Sequence, residues 1–174
     1  MNKGVFLVVK FTGVIFLKKN VKIYAVAILI PLAVGALSAF FTMGNMSIYT
    51  EINTPPLSPP GFLFPIVWTV LYILMGISSA VVYINRAVDI ESAKSGLLYY
   101  AASLGVNFFW SIIFFNFRLF LFAASWLLLL LYLILQTVYF YKKVSPVAAY
   151  LQIPYILWVS FAGYLTIAIY LLNK

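Results

Sequence analysis

The strongest constraint on this chain is length without charge. Five stretches, each near 20 residues or longer, carry no Asp, Glu, His, Lys or Arg through their middles. A helix needs about 20 apolar residues to cross the hydrocarbon core of a bilayer. Composition points the same way: 66% of residues are hydrophobic and 8% are charged, where a soluble domain carries roughly a quarter charged. The chain is read as an all-α integral membrane protein, a bundle of five transmembrane helices.

The spans are expected at about Ile23 to Thr42, Pro60 to Asn85, Ser95 to Phe117, Phe120 to Tyr141 and Pro146 to Leu172. Residues 1–22 precede them. Their apolar run is too short to span, is interrupted by Lys10, and is closed by Lys18, Lys19 and Lys22. No small-x-small cleavage site precedes Lys18, so an interfacial helix or a segment leading into the first span is favoured over a cleaved signal. Residues 23–174 form the membrane domain.

Charge sets the orientation. Nine Lys and Arg fall on the N-terminal side of the spans (Lys3, Lys10, Lys18, Lys19, Lys22, Arg86, Lys94, Lys142, Lys143), and two, Arg118 and Lys174, on the other. Basic residues mark cytoplasmic loops. The N-terminus is expected in the cytoplasm of a bacterial cytoplasmic membrane. The net charge of +8 is thus a topology signal and not a nucleic-acid footprint.

Between the first two spans lies Asn53 to Gly61, holding Pro55, Pro56, Pro59 and Pro60. Proline fixes φ and drives the preceding residue toward extended backbone. Ser58 is expected to cap a helix whose first turn is Pro59-Pro60. Pro65 then predicts a kink or a delayed start. A stiff loop therefore feeds a helix carrying Trp68 and Tyr72, and reads as a lid over one mouth of the bundle.

Helical spacing places neutral polar and aromatic groups in stripes. The second span carries Trp68, Tyr72, Met75, Gly76, Ser79 and Tyr83; the third, Ser103, Asn107, Trp110, Ser111 and Phe114; the fourth, Ser125, Tyr132, Gln136, Tyr139 and Lys143. With no Cys and no His, thiolate chemistry and the usual general base are absent. No ionisable group sits mid-span, which argues against a proton-driven pump. Apolar walls with a few placed hydrogen bonders fit a large, flat, apolar ligand. Aromatic belts and interhelical packing account for the same residues, and composition leaves the two open. Gly35 with Ala39, or Ala101 with Gly105, offer small-residue contacts for a homodimer.

Three motifs go further. PPLSPPGFLFPIVWTVLYILMG, NFFWSIIFF followed by Arg118, and SPVAAYLQIPYILWVSFAGYL resemble, in order and spacing, the signatures of the translocator protein family (TspO/MBR, the tryptophan-rich sensory proteins). The resemblance runs from about Ile23 to Asn173. This chain departs from the pattern at Thr54, Leu57, Pro65 and Thr166. The resemblance implies a five-helix bundle, often dimeric, with no resident cofactor, that binds porphyrins such as protoporphyrin IX beneath the first loop. It implies as ligand-binding positions Tyr49, Pro59, Trp68, Asn107, Trp110, Phe122, Trp158 and Ala162. Three roles stay open: receptor or carrier, light-dependent porphyrin-degrading enzyme, and membrane scaffold for partner proteins. Leu165, Tyr170 and Lys174 loosely match a sterol motif, and the last two serve equally as interfacial anchors.

Overall fold

A computed structural model describes the backbone of residues 3–174 and the side chains of residues 20–48 and 51–174. Helix α1 runs unbroken from Lys3–Thr42, and its apolar, membrane-crossing part is Asn20–Asn45 together with the short turn that follows. A single helical turn, α2 (Ile48–Glu51), lies in the first loop. The next spans are α3 (Leu63–Ile84), α4 (Ile90–Ser111) and α5 (Phe120–Val144). The last span is split into α6 (Pro146–Tyr150) and α7 (Ile153–Leu172). Among the described residues, five segments are long and apolar enough to cross a membrane, and the chain is an integral membrane protein. Short connections make successive spans antiparallel. The first loop, the α4–α5 link and the end of α7 therefore meet at one end of the bundle.

Local chemistry explains the boundaries. The second span starts at Leu63, later than Pro60, and Ser58 is not its cap. The Ser58 N–H and Oγ both donate to the Pro55 carbonyl, at 3.2 and 2.8 Å. That turn carries Leu57 in the left-handed region at φ 69°. The reason is the paired prolines: Pro60 holds Pro59 extended, so helical backbone begins only beyond them. Pro65 then falls within the first turn of α3, where its missing N–H costs little. Asp89, expected in a plain solvated connection, caps α4 by accepting from the Ser92 N–H at 2.9 Å. The Ser92 hydroxyl, and after it this backbone bond, hold the Asp89 carboxyl below the usual range. Pro154 lies in the first turn of α7, just after the break at Leu151 and Gln152. The break is sealed inside the bundle, where Gln152 Nε2 donates to Ser78 Oγ and Ser78 Oγ to the Ala148 carbonyl, at 3.1 and 2.7 Å.

The core is built from α3, α4, α5 and α7, with α1 laid against α3. Pro31, Ser38 and Thr42 form the buried face of α1, and the expected stripes are buried at Tyr72, Met75, Gly76 and Ser79 of α3 and at Ser103, Asn107 and Trp110 of α4, with Phe114 buried just beyond its end and Ser111 half-buried. The α5 stripe is different. Ser125, Tyr132, Tyr139 and Lys143 are exposed, and α5 turns Ala123, Leu127, Leu130, Ile134, Thr137 and Tyr141 inward. Lipid is as apolar as a protein core, so polarity does not sort the faces of a membrane helix as it sorts a soluble one. Of the two small-residue pairs, Gly35 is used within the chain, where any Cβ would run into the Tyr72 ring. Ala101 and Gly105 lie on the outer face of α4, with open space over Gly105.

Candidate ligand site

The aromatic rings of α3 and α7 make one interdigitated set. Phe64, Trp68 and Tyr72 follow one another a helical turn apart on α3, and Tyr155, Trp158 and Phe161 do so on α7. Trp68 stacks on Tyr72 (centroids 5.4 Å, 29°) and meets Tyr155 edge-on (6.1 Å, 69°). Trp158 meets Phe64 edge-on at 5.9 Å and leans on Phe161 at 5.8 Å. The backbones of α3 and α7 approach each other little, so rings fill the space between two separated helices. Trp68 and Trp158 are each only half-buried.

Asn107 projects into the interior from α4, where its Nδ2 donates to the Tyr72 hydroxyl at 2.9 Å. Gly35 leaves the room that the Tyr72 ring takes up. Trp110, three residues beyond Asn107, is buried and stacks on Phe114 at 5.3 Å. Ala162 is buried on α7, and its carbonyl accepts the Thr166 hydroxyl at 2.7 Å.

Above this set the first loop is clasped down. Asn173 Oδ1 accepts from the Asn53 N–H and Asn173 Nδ2 donates to the Asn53 carbonyl, both at 2.9 Å. Tyr164 donates to the Pro56 carbonyl at 3.0 Å. Arg118 pairs with Glu51 at 3.0 Å, both half-exposed. In water such a pair contributes little on its own; here it is one of several ties. Asn116 ties the α4–α5 link to the end of α1, its Nδ2 donating to the Phe41 carbonyl at 2.9 Å. Pro59 is half-buried in the loop, and the Tyr49 side chain lies outside the described residues.

The structure thus brings Trp68, Asn107, Trp158 and Ala162 to the bundle interior, with Trp110 on the same face of α4 as Asn107. Phe122 stands apart. It is half-exposed, leans on Trp126 at 5.7 Å, and lines an open groove of about 610 Å³ with Arg118, Ser125, Tyr170 and Lys174. Trp126, which shares none of the three motifs, is a fastener: its Nε1 donates to the Val106 carbonyl of α4 at 2.8 Å. Sequence reasoning missed Tyr155 and the partnership of Tyr72 with Asn107. The four-residue step from Trp68 to Tyr72, and Tyr155 three before Trp158, were the available signals. The clasping side chains carried none, because Asn and Tyr at span ends are ordinary interfacial residues.

Chemically the arrangement offers stacking faces and one neutral amide.

Comparison with known proteins agrees with the motifs. The sequence model of the TspO/MBR family matches residues 27–172. The Tryptophan-rich protein TspO of Chlorobaculum tepidum is 35% identical over 158 residues, covering 90% of this chain and 99% of that protein. Protein CrtK of Rhodobacter capsulatus is 32% identical, covering 88% and 94%. The Translocator protein of Bos taurus is 33% identical, covering 79% and 82%.

Proposed function

The chain belongs to the TspO/MBR family, and from that membership we propose that it is a membrane receptor or carrier for a flat tetrapyrrole such as protoporphyrin IX. The ligand would lie between α3 and α7 under the first loop, with Trp68 and Trp158 on its faces and Asn107 at a polar edge. The observation that carries this reading is the ring-filled space between two helices whose backbones stand apart, closed at its outer end by a clasped loop. Aromatic faces suit a planar π-system, and the rings must turn aside to admit one.

The test is a titration of the purified protein with protoporphyrin IX in the dark. Saturable quenching of tryptophan fluorescence at one ligand per chain is expected. Quenching that never saturates, or none, overturns the reading. Repeating the titration in light separates binding from turnover. A bound pigment whose spectrum changes in light only when Trp68 and Trp158 are present would reassign the protein as a light-dependent porphyrin-degrading enzyme. The porphyrin and oxygen would then supply the chemistry.

The proposed orientation puts the first loop outside a bacterial cytoplasmic membrane and the N-terminus in the cytoplasm, on the strength of the Lys and Arg asymmetry. The chain has no Cys, so single cysteines report cleanly. Ser47 and Val88 are exposed at opposite ends of the bundle, whereas Ser92 is buried within a helix cap. Ser47→Cys is expected to react with a membrane-impermeant maleimide in intact cells, and Val88→Cys only after lysis. The reverse pattern inverts the topology.

A further inference from the structure

The interior below the aromatic slot is polar in a way that ligand stacking does not use. Among the described residues, five buried side-chain atoms have no hydrogen-bond partner: the hydroxyls of Tyr100, Tyr141 and Tyr155, Asn107 Oδ1 and Trp110 Nε1. All belong to side chains at least nine-tenths buried, with Tyr141 at 0% and Tyr155 at 1% exposure. They come from three different spans and face one interior.

They also follow one another along the bundle. Tyr155 and Tyr72 both pack on Trp68, and Tyr72 accepts from Asn107. Tyr155 lies within electrostatic reach of Tyr72 and Tyr100. Tyr100 is seven residues from Asn107 on α4, about 10 Å toward the opposite end, and its ring centroid is 6.4 Å from that of Tyr141. Ser79, whose own proton goes to the Gly76 carbonyl at 3.0 Å, lies near enough to interact with the Tyr100 hydroxyl without closing a well-formed bond, and leaves that hydroxyl capacity for a further partner. Tyr141 immediately precedes the exposed Lys142 and Lys143 at the far end of α5.

A buried hydroxyl without a partner costs free energy comparable to a lost hydrogen bond, and buried polar groups are nearly always satisfied by protein or by ordered water. One such atom is an accident of packing. A succession of them, none bonded to another, is what bridging water satisfies. Buried waters make about three hydrogen bonds each and occur about once per 27 residues.

We propose that the bundle holds a string of ordered water molecules, bound by Asn107 Oδ1 and the hydroxyls of Tyr155, Tyr100 and Tyr141, running from the floor of the aromatic slot to the Lys142–Lys143 end. The string connects the polar edge of anything held at Asn107 with solvent at the end opposite the lid. It is a site for water in a region without Asp, Glu, His, Lys or Arg, and it stands whether or not the slot takes a porphyrin.

Substitution by phenylalanine decides between wet and dry interiors, because it removes the hydroxyl and keeps the ring. Hydroxyls that hold water leave that water short of a partner when removed, and the melting temperatures of Tyr141→Phe and Tyr155→Phe are expected to fall by a few degrees. Dry, unpaired hydroxyls are relieved by the same change, and both melting temperatures would rise. Radiolytic footprinting of the wild-type protein supplies a second reading. Radicals formed from bound water are expected to oxidise Tyr141 and Tyr155 despite their burial, while the equally buried Leu130 stays unmodified. Rising melting temperatures in both variants, or no oxidation of either tyrosine, would overturn the water string.

Discussion

Gly76→Ala is expected to destabilise the bundle by about 1–3 kcal/mol, at the upper end of what one inserted methyl costs in a packed core. A Cβ at Gly76 would stand 2.5 Å from the Ile28 Cα, 2.7 Å from the Ala27 carbonyl oxygen and 2.9 Å from the Ile28 nitrogen. These are backbone atoms of α1, and no side-chain rotation relieves the overlap. The closeness has a cause in the sequence. Pro31 has no N–H, so the Ala27 carbonyl four residues earlier lacks its helical partner, and Gly76 brings α3 against that freed oxygen. Alanine is the better helix former by roughly 1 kcal/mol, which partly offsets the clash without reversing it. Gly105 is the internal control, since a Cβ there meets nothing within 4 Å. Thermal unfolding in detergent should therefore show Gly76→Ala well below wild type and Gly105→Ala at or above it. Equal melting for the two variants would mean that α1 and α3 are not held together at this point.

The spans were legible because the bilayer demands length without charge, and that demand is written in runs such as Leu63 to Ile84. The same demand hid the inside from the outside. On α5 the polar residues Tyr132 and Tyr139 face outward while Leu127, Leu130 and Ile134 face in, since lipid is as apolar as the core and sorts the two faces weakly. On α3 and α4, where small and polar residues coincide with close packing, the buried faces showed in advance. Helix starts were misread where two local rules competed. At Ser58 the capping preference gave way to the stiffness of Pro59-Pro60, whereas at Asp89 capping prevailed unannounced.

In the candidate site, motif resemblance singled out Trp68, Asn107, Trp158 and Ala162, and the structure gathers them inside. It could not supply the pairs that depend on three-dimensional neighbours. Tyr155 reaches Trp68 across the slot, and Asn53 meets Asn173 from 120 residues away. Spacing along one helix carries no trace of such contacts.

The proposed function requires Trp68 and Trp158 to be ligand faces and not only core. Phenylalanine at either position keeps an aromatic ring and most of the packing area. What it gives up is the larger indole face, and aromatic stacking contributes about 0.5–1.5 kcal/mol beyond buried area. Since about 1.4 kcal/mol is tenfold in affinity, Trp68→Phe and Trp158→Phe should each weaken protoporphyrin IX binding about three- to tenfold. Their melting temperatures should move little. Trp126→Phe should do the opposite: it loses the bond to the Val106 carbonyl, lowering stability by about 1 kcal/mol, and it leaves affinity unchanged. The deciding measurement is the protoporphyrin IX dissociation constant of these three variants beside wild type, in the dark and in one detergent. A severalfold loss confined to Trp68→Phe and Trp158→Phe supports the slot between α3 and α7, and equal affinity in all four proteins contradicts it.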